Sequence, residues 1–426
     1  LMDTIFALSS GAPPAGIGVI RVSGPDAFGA IERLAGRLPP ARMARIRALR
    51  AADGTLLDRA LVLVFPGPGT ATGEDLAELH CHGGRAVVAA VLATLGTCPG
   101  LRPAVAGEFT RRALGNGRID LSEASGLADL LSAETERQRV AALSAAEGLV
   151  SQRVRSWLDR LSMLAALIEA SLDFSDEDDV GDDDRQTRVV REGMAELADD
   201  LRMVLDVPPV ERLRDGIHVV LAGPPNSGKS TLINLLSQRD VAIVSPIAGT
   251  TRDRIEATVT RNGLVYVLTD TAGLTTSEDP IERIGVERAG QSIDRADVLL
   301  WLGDDVPPRR DAIWVHARSD VSGREDLPAG RDVRAAQSDP MTIEDLWSCI
   351  GARAEQMVPR GDAPSFRDSE RQACRIALDA IAVPEGDPLI VAEQLRIASR
   401  ALGEILGSHA TEAMLDALFG KFCIGK

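Results

Sequence analysis

Gly223-Pro-Pro-Asn-Ser-Gly228-Lys229-Ser230 decides how the middle of this chain folds. It fits the phosphate-binding pattern G-x-x-x-x-G-K-[ST], and its flanks suit the pattern. Ile217–Ala222 before it reads as a buried strand, and Thr231–Leu236 after it opens an apolar helix. Glycines let main-chain N–H groups curl around phosphate oxygens, and the helix N-terminus adds its positive dipole end. In such a loop Lys229 reaches the β- and γ-phosphates and Ser230 holds Mg²⁺. The stretch predicts a nucleotide site on a parallel α/β sheet.

Strands alternating with helices run from about 216 to 350, as a parallel sheet requires. Arg254–Arg261 and Leu264–Thr269 flank Asn262-Gly263, a hairpin signal. Two further motifs follow the loop in order. Gly249-Thr250-Thr251-Arg252-Asp253 supplies threonine oxygens for Mg²⁺ and a γ-phosphate. Asp270-Thr271-Ala272-Gly273 supplies a carboxylate for Mg²⁺ through water and a Gly273 N–H for the γ-phosphate. Three motifs in this order predict a GTPase.

Base selection departs from the usual N-K-x-D. The strand Ala312–Val315 leads to Ala317-Arg318-Ser319-Asp320, so Asp320 is in place to accept from guanine while Ala and Arg replace its neighbours. Arg318 can lie over the base through its planar guanidinium, but the hydrogen bonds that Asn makes back to the phosphate loop are lost. The expectation is guanine preference at reduced affinity. Only Gly303–Asp311 separates the strand Val298–Leu302 from the next. A parallel crossover takes about a dozen residues or more, so the usual helix there is expected to be missing or cut to a turn. Leu274 has no polar atom to place an attacking water; Glu278, Asp279 and Glu282 are the nearby candidates.

Around this module the pattern changes. Residues 1–118 mix short strands (Gly16–Val22, Arg59–Phe65), glycine-rich turns and one apolar helix, Ala86–Thr97, as in a compact α+β domain. Leu121–Leu172 and Arg185–Leu205 have helical periodicity, separated by the acidic stretch Asp173–Asp184, which reads as a solvated loop. Val207-Pro-Pro-Val210 breaks the helix, and periodicity returns after Pro359 in Ser369–Ile381, Val391–Leu406 and Thr411–Phe419. The expected fold is multidomain α/β and α+β: an N-terminal domain over 1–118, a discontinuous helical domain over 119–210 and 359–426, and an inserted nucleotide domain over 211–358.

The 426 residues carry a net charge of −16, which excludes a protein that coats nucleic acid with its whole surface but not a local basic groove. No apolar run reaches a membrane span and no signal-peptide pattern opens the chain. The five cysteines are scattered without a C-x-x-C pair, pointing to reduced thiols and a cytoplasmic location. His80 and His82 flank Cys81 and are expected in a structural turn rather than on a metal.

Several stretches together resemble the bacterial tRNA modification GTPase family MnmE, also called TrmE. They are Gly18-Val-Ile-Arg-Val-Ser-Gly24, Gly73-Glu-Asp-Leu-Ala-Glu-Leu-His-Cys-His-Gly-Gly84, Gly107-Glu-Phe-Thr-Arg-Arg-Ala113, Asn116-Gly-Arg-Ile-Asp-Leu121, the three nucleotide motifs and the terminal Phe422-Cys-Ile-Gly-Lys426. The resemblance spans essentially the whole chain. It implies a folate-binding-like N-terminal domain that also forms a homodimer, and a Ras-like P-loop GTPase domain.

By position, the resemblance implies that Asn226, Ser245, Ile247 and Thr250 surround a K⁺ ion beside the phosphates. Such an ion neutralises charge developing between the β- and γ-phosphates, as an arginine finger does. Ser230 and Thr251 match the Mg²⁺ positions and Glu282 the water-orienting glutamate. Ser227, Gly228, Lys229, Thr231, Asp270, Thr271, Ala272, Gly273 and Asp320 complete the nucleotide site. Arg21, Glu78, Arg118 and Lys426 match folate-contacting positions, with Arg118 where the family has lysine. Cys423 matches a position regarded as catalytic; a thiol there can act as a nucleophile or an acid–base. The implied activity is a K⁺-stimulated GTPase. With the flavin-containing partner MnmG (GidA), in a heterotetramer, it modifies C5 of the wobble uridine of tRNA. The implied carbon source is 5,10-methylene- or 5-formyl-tetrahydrofolate. The alternative is a regulatory or scaffold GTPase without modification chemistry.

Overall fold

A computed structural model describes residues 3–173, 183–237, 256–270, 290–359, 364–382, 387–408 and 410–425. The chain divides into two units. One comprises Leu1–Ala128, Ala145–Asp159 and Ser399–Lys426, the other Asp129–Ser144 and Arg160–Ala398.

The first unit is built on a six-stranded sheet. Its strands are β1 (Thr4–Leu8), β2 (Ile17–Ser23), β3 (Arg45–Arg50), β4 (Leu56–Phe65), β5 (Leu76–His82) and β6 (Leu101–Pro103), in the order β3-β4-β5-β2-β1-β6. All pairs are antiparallel except β1 with β6. Alternation sends Ile20, Val22, Val62, Val64, Leu79 and Cys81 to one face. There they pack against Ala27, Ile31 and Leu34 of α1 (Ala27–Ala35) and Val88, Val91 and Leu95 of α2 (Arg85–Gly96). A third helix, α3 (Glu108–Gly115), places Phe109 against Ile5 and Ala7. The α+β reading of this region holds, but it contains three helices rather than one. In α3 the buried face is partly ionic: beside Phe109, Arg112 pairs with Glu108, Glu74 and Asp3 while only 8% exposed. An apolar-periodicity search passes over such a helix.

Also in this unit, Phe419 of α14 (Glu412–Phe419) and Phe422 pack on Ala124 of α4 (Leu121–Ser132). Ile424 bridges Ala106 in the antiparallel sense. Gly425 sits at φ 99°, and a Cβ on it would lie 2.1 Å from the Leu8 carbonyl oxygen, so only glycine fits.

Helices α5 (Glu136–Ala146), α6 (Leu149–Asp173) and α7 (Asp183–Asp206) follow α4. The acidic residues 174–182 lie outside the described residues. Arg371 of α12 (Asp368–Ile381) donates to the carbonyls of Val204 (3.0 Å) and Leu205 (2.7 Å), satisfying orphan acceptors at the end of α7. Pro208 and Pro209 then stop the helix, and the five-residue α8 (Glu211–Asp215) leads into the second sheet.

That sheet holds β7 (Ile217–Ala222), β8 (Glu256–Arg261), β9 (Leu264–Asp270), β10 (Val298–Trp301), β11 (Ile313–Ala317) and β12 (Val333–Ala335) in the order β12-β11-β10-β7-β9-β8. It is parallel except for the β8–β9 hairpin, whose turn residues Asn262 (φ 50°) and Gly263 (φ 77°) have the left-handed backbone expected of Asn-Gly. One face is buried by α9 (Lys229–Ser237) and α11 (Pro340–Glu355), with Leu232, Leu236, Leu346 and Trp347 in the core. The other face carries a smaller cluster with Val220, Leu299 and Ala312, against which Ile293 of a helix at 290–295 (α10) packs. Helix α13 (Pro388–Ile405) lies between α12 and α14 in sequence.

The missing crossover helix is a finding. Between the parallel strands β10 and β11 there is no helix, only a loop. Polar pins replace it: Trp314 Nε1 donates to Gly303 O (2.9 Å) and Trp301 Nε1 to Asp305 O (2.8 Å). Arg331 reaches Asp304 at 2.7 Å with its guanidinium 5.0 Å from the Trp314 ring centre, and Arg324 reaches the same carboxylate at 3.1 Å. Arg309 donates to the carbonyls of Ile293 and Ala296, both at 2.8 Å.

Candidate functional site

The sheet reverses strand order at β7: the chain leaves for β9 on one side and β10 on the other. Ligands of such sheets bind at the carboxyl ends of the strands at this switch point. The phosphate loop stands there, between the end of β7 and the start of α9. It forms one side of a cleft of about 590 Å³ lined by Asn226, Lys229, Ser230, Arg318, Asp320 and Gln337 among others.

Each loop residue is set by its backbone. Asn226 adopts φ 60°, a left-handed value that asparagine tolerates better than most residues. Lys229 is 5% exposed, and its ammonium donates to the carbonyls of Gly223 (3.0 Å) and Pro224 (2.9 Å). Burial pulls this ammonium below the usual lysine range, and the charge of Asp270 pushes back. Ser230 Oγ donates to Asp270 Oδ2 at 2.6 Å, with Asp270 only 1% exposed at the end of β9. A hydroxyl and a carboxylate held together beside a phosphate loop are hard oxygen donors, and they fit Mg²⁺.

Across the cleft, Asp320 follows β11. Its Oδ2 accepts from the main-chain N–H groups of Gln337 (3.1 Å) and Ser338 (3.2 Å), which fixes the carboxylate at the cleft wall. Arg318 has φ 59° and donates from Nη1 to Asn226 O at 3.4 Å. The bonds an asparagine would make from position 317 are absent, since Ala317 has no polar side-chain atom. The long guanidinium makes the connection from the neighbouring position. Arg324 Nε in turn holds the Ala317 carbonyl at 3.2 Å. The wall at Ala335–Ser338 escapes a reading of the sequence because β12 has only three residues. The signal that is available is Asp339-Pro340, an N-cap and first-turn proline marking where α11 begins.

Ser245, Ile247, Thr250, Thr251, Thr271, Ala272, Gly273, Leu274, Glu278, Asp279, Glu282 and Lys426 lie outside the described residues. The structure therefore brings together Asn226, Ser227, Gly228, Lys229, Ser230, Thr231, Asp270 and Asp320. Ser227 Oγ is buried with no hydrogen-bond partner among the described residues.

In the first unit, Arg21 and Glu78 face each other across β2 and β5 and form an ion pair at 3.0 Å. Arg118 donates from Nε to Thr70 O at 3.0 Å. His80 and His82 do not lie in a turn. They occupy the outward positions of β5, His80 3.3 Å from Glu78 and His82 2.7 Å from Asp58, while Cys81 points inward. Burial, and then the Asp58 charge, push the Cys81 thiol up to about 12. Cys423 is an exposed free thiol beside buried Phe422. No helix among the described residues is long and apolar enough to cross a membrane.

Comparison with known proteins agrees with this geometry along the chain. The family described as "GTP-binding protein TrmE N-terminus" matches residues 4–118, and "MnmE helical domain" matches residues 121–423. The tRNA modification GTPase MnmE of Erythrobacter litoralis is 51% identical over 428 residues, all of both chains. That of Rhizorhabdus wittichii is 53% identical over all of this chain and 97% of its own. That of Novosphingobium aromaticivorans is 48% identical over all of both. A phosphate loop at the switch point of a parallel sheet, an N-terminal sheet domain and relatives matched end to end make one conclusion: this chain belongs to the MnmE family of tRNA modification GTPases.

Proposed function

We propose that this chain hydrolyses GTP in the cleft between the phosphate loop and Asp320, and that turnover there serves modification of the wobble uridine of tRNA at C5. A flavin-containing MnmG-type partner acts with it in a heterotetramer. One observation carries the nucleotide reading. The buried Lys229 ammonium, the Ser230–Asp270 oxygen pair and the Asp320 carboxylate line or border a single cleft.

The roles follow from chemistry. Lys229 binds phosphate oxygens, and an anion there relieves the cost of keeping its ammonium buried. Ser230 and Asp270, with Thr251, hold Mg²⁺, which spreads the negative charge of the transferring phosphoryl group when bound. Asn226, with Ser245, Ile247 and Thr250, holds K⁺, which supplies positive charge beside the phosphates. Asp320 accepts from guanine and Glu282 places the attacking water. In the homodimeric N-terminal domain, Arg21, Glu78, Arg118 and Lys426 bind the tetrahydrofolate that supplies the carbon. The Arg21–Glu78 pair offers one cation and one acceptor for such a ligand. Cys423 is the thiol of the modification chemistry.

Turnover of GTP in K⁺ against Na⁺, with mass analysis of wobble uridine in a strain lacking the gene, tests the proposal. It predicts faster turnover in K⁺ and loss of the C5 group. Unchanged uridine would remove the modification role. Ala317, which takes away the usual asparagine, favours the second reading of a scaffold that hydrolyses GTP weakly. Absence of turnover in either ion would select it.

A further inference from the structure

Between Arg33 and Arg50 the chain carries six arginines and no acidic residue, in a protein whose net charge is −16. The six are Arg33 in the last turn of α1, Arg37 and Arg42 in the connection, and Arg45, Arg47 and Arg50 on β3. β3 is the outer strand of its sheet, so one edge of it faces no other strand. Arg45 and Arg47 pair with Val62 and Ala60 of β4 and share the parity of buried Leu49, so they lie on the α1 side of the sheet. Arg47 Nε donates to Arg37 O at 3.1 Å, which ties strand and connection into one surface.

Among the described residues none of the six has a carboxylate within 4 Å. Their bonds go to main-chain carbonyls: Arg42 to Gly69 (2.6 Å), Arg45 to Ala44 (3.5 Å) and Arg50 to Gly54 (2.8 Å). Five other arginines of the same unit are paired with carboxylates: Arg21 with Glu78, Arg102 and Arg112 with Asp3 and Glu108, Arg111 with Asp416 and Arg155 with Asp120. Arg85 and Arg118 bond to carbonyls one at a time and are not clustered in sequence. A guanidinium has five N–H donors, so one bond to a carbonyl leaves a fork free for an anion. Charge on an outer strand also prevents edge-to-edge pairing. That accounts for Arg45 or Arg47 but not for Arg33 and Arg37, which are off the strand.

The geometry points to an RNA-phosphate contact surface formed by Arg33, Arg37, Arg45 and Arg47, with Arg42 and Arg50 at its margins. It rests on the proposed tRNA substrate and names where this chain holds it. Spaced phosphates suit a row of unpaired guanidinium groups, whereas a second copy docking β3 to β3 would set arginine against arginine. The contact positions the RNA and reads no base.

The test is anisotropy of a labelled, unmodified tRNA transcript with the full chain and its flavoprotein partner, across a salt series. Arg37→Gln, Arg45→Gln and Arg47→Gln together are expected to weaken binding by about 10-fold or more. They should also flatten the slope of log K against log salt by about 2–3, at roughly 0.7–0.9 for each phosphate no longer neutralised. Basal GTP turnover and the melting temperature should stay as in the parent. Arg37→Glu alone, away from the strand, should act in the same direction if the triple variant does not fold. Equal affinity and slope in the variants overturn the surface while leaving the tRNA substrate standing. A change in sedimentation with RNA affinity intact overturns it in favour of a contact between copies. A parent that binds no RNA overturns the tRNA reading and the surface with it.

Discussion

Arg318 and Asn226 meet across the nucleotide cleft, the guanidinium of one 3.4 Å from the main-chain carbonyl of the other, and both have left-handed backbones, φ 59° and 60°. The contact links the loop after β11 to the phosphate loop through one long hydrogen bond. Arg318→Ala is expected to weaken GTP binding about 5- to 10-fold, in keeping with one charge-assisted hydrogen bond. Ala317→Asn restores the usual amide and should tighten it several-fold. Titration of the two variants with GTP checks both; an Arg318→Ala chain with parental affinity would show that the tie does no work.

Asp320 has one carboxylate oxygen held by two main-chain N–H groups. Its other oxygen remains to accept from a purine that offers donors at the guanine positions. Asp320→Ala removes both functions. GTP affinity should fall about 100-fold while ATP affinity stays near its parental value, because a missing acceptor leaves the guanine donors unpaired. Parallel titrations decide the matter, and equal losses for the two nucleotides would place guanine reading elsewhere.

The clamp on the short β10–β11 connection is sensitive to acid. Hydrogen bonds from Arg324, and then Arg331, draw the Asp304 carboxyl down to about 2 from its ordinary 3.8. A carboxyl depressed in the folded state stabilises the fold fully above its unfolded value and loses that contribution as pH falls through the folded one. Asp304→Asn should therefore lower the melting temperature at pH 7, and the gap should close between about pH 4 and pH 2. The side chain is 66% exposed, so the gap is small, under about 1 kcal/mol. Melts at several pH values test this; a gap that does not vary with pH would assign the effect to something other than charge.

Gly425 leaves no room for a methyl group against Leu8, and its φ of 99° excludes other residues independently. Gly425→Ala should unseat the segment carrying Cys423 while the nucleotide cleft remains intact. Wobble-uridine modification is expected to fall at least about 10-fold with GTP turnover within about twofold of the parent. Turnover falling in step with modification would contradict that separation.

How much of this is legible in the sequence depends on how local each signal is. The phosphate loop, the Asn262-Gly263 turn and the shortened 303–311 connection are written in consecutive residues, and each appears where the spacing puts it. Helix α3 escapes notice because its buried face mixes Glu108, Thr110 and Arg112 with Phe109 and Ala113, which leaves too few apolar residues to mark it. His80 and His82 suggest a turn, yet Ala77, Leu79 and Cys81 alternate inward around them as a strand requires. The Arg318–Asn226 contact is beyond reach. It joins residues 92 positions apart, and only the parallel stacking of β7, β10 and β11 brings them together.

The loop that stands in for the crossover helix exchanges apolar packing for directional charge, and this gives the nucleotide unit a dependence on its ionic medium. Arg331 is 6% exposed and Arg324 31%, but the Asp304 carboxylate they share is 66% exposed. Mobile ions reach both limbs of the clamp through that carboxylate. A rising concentration of any salt, potassium included, screens both ion pairs, so the β10–β11 connection loses part of its clamp as ionic strength climbs.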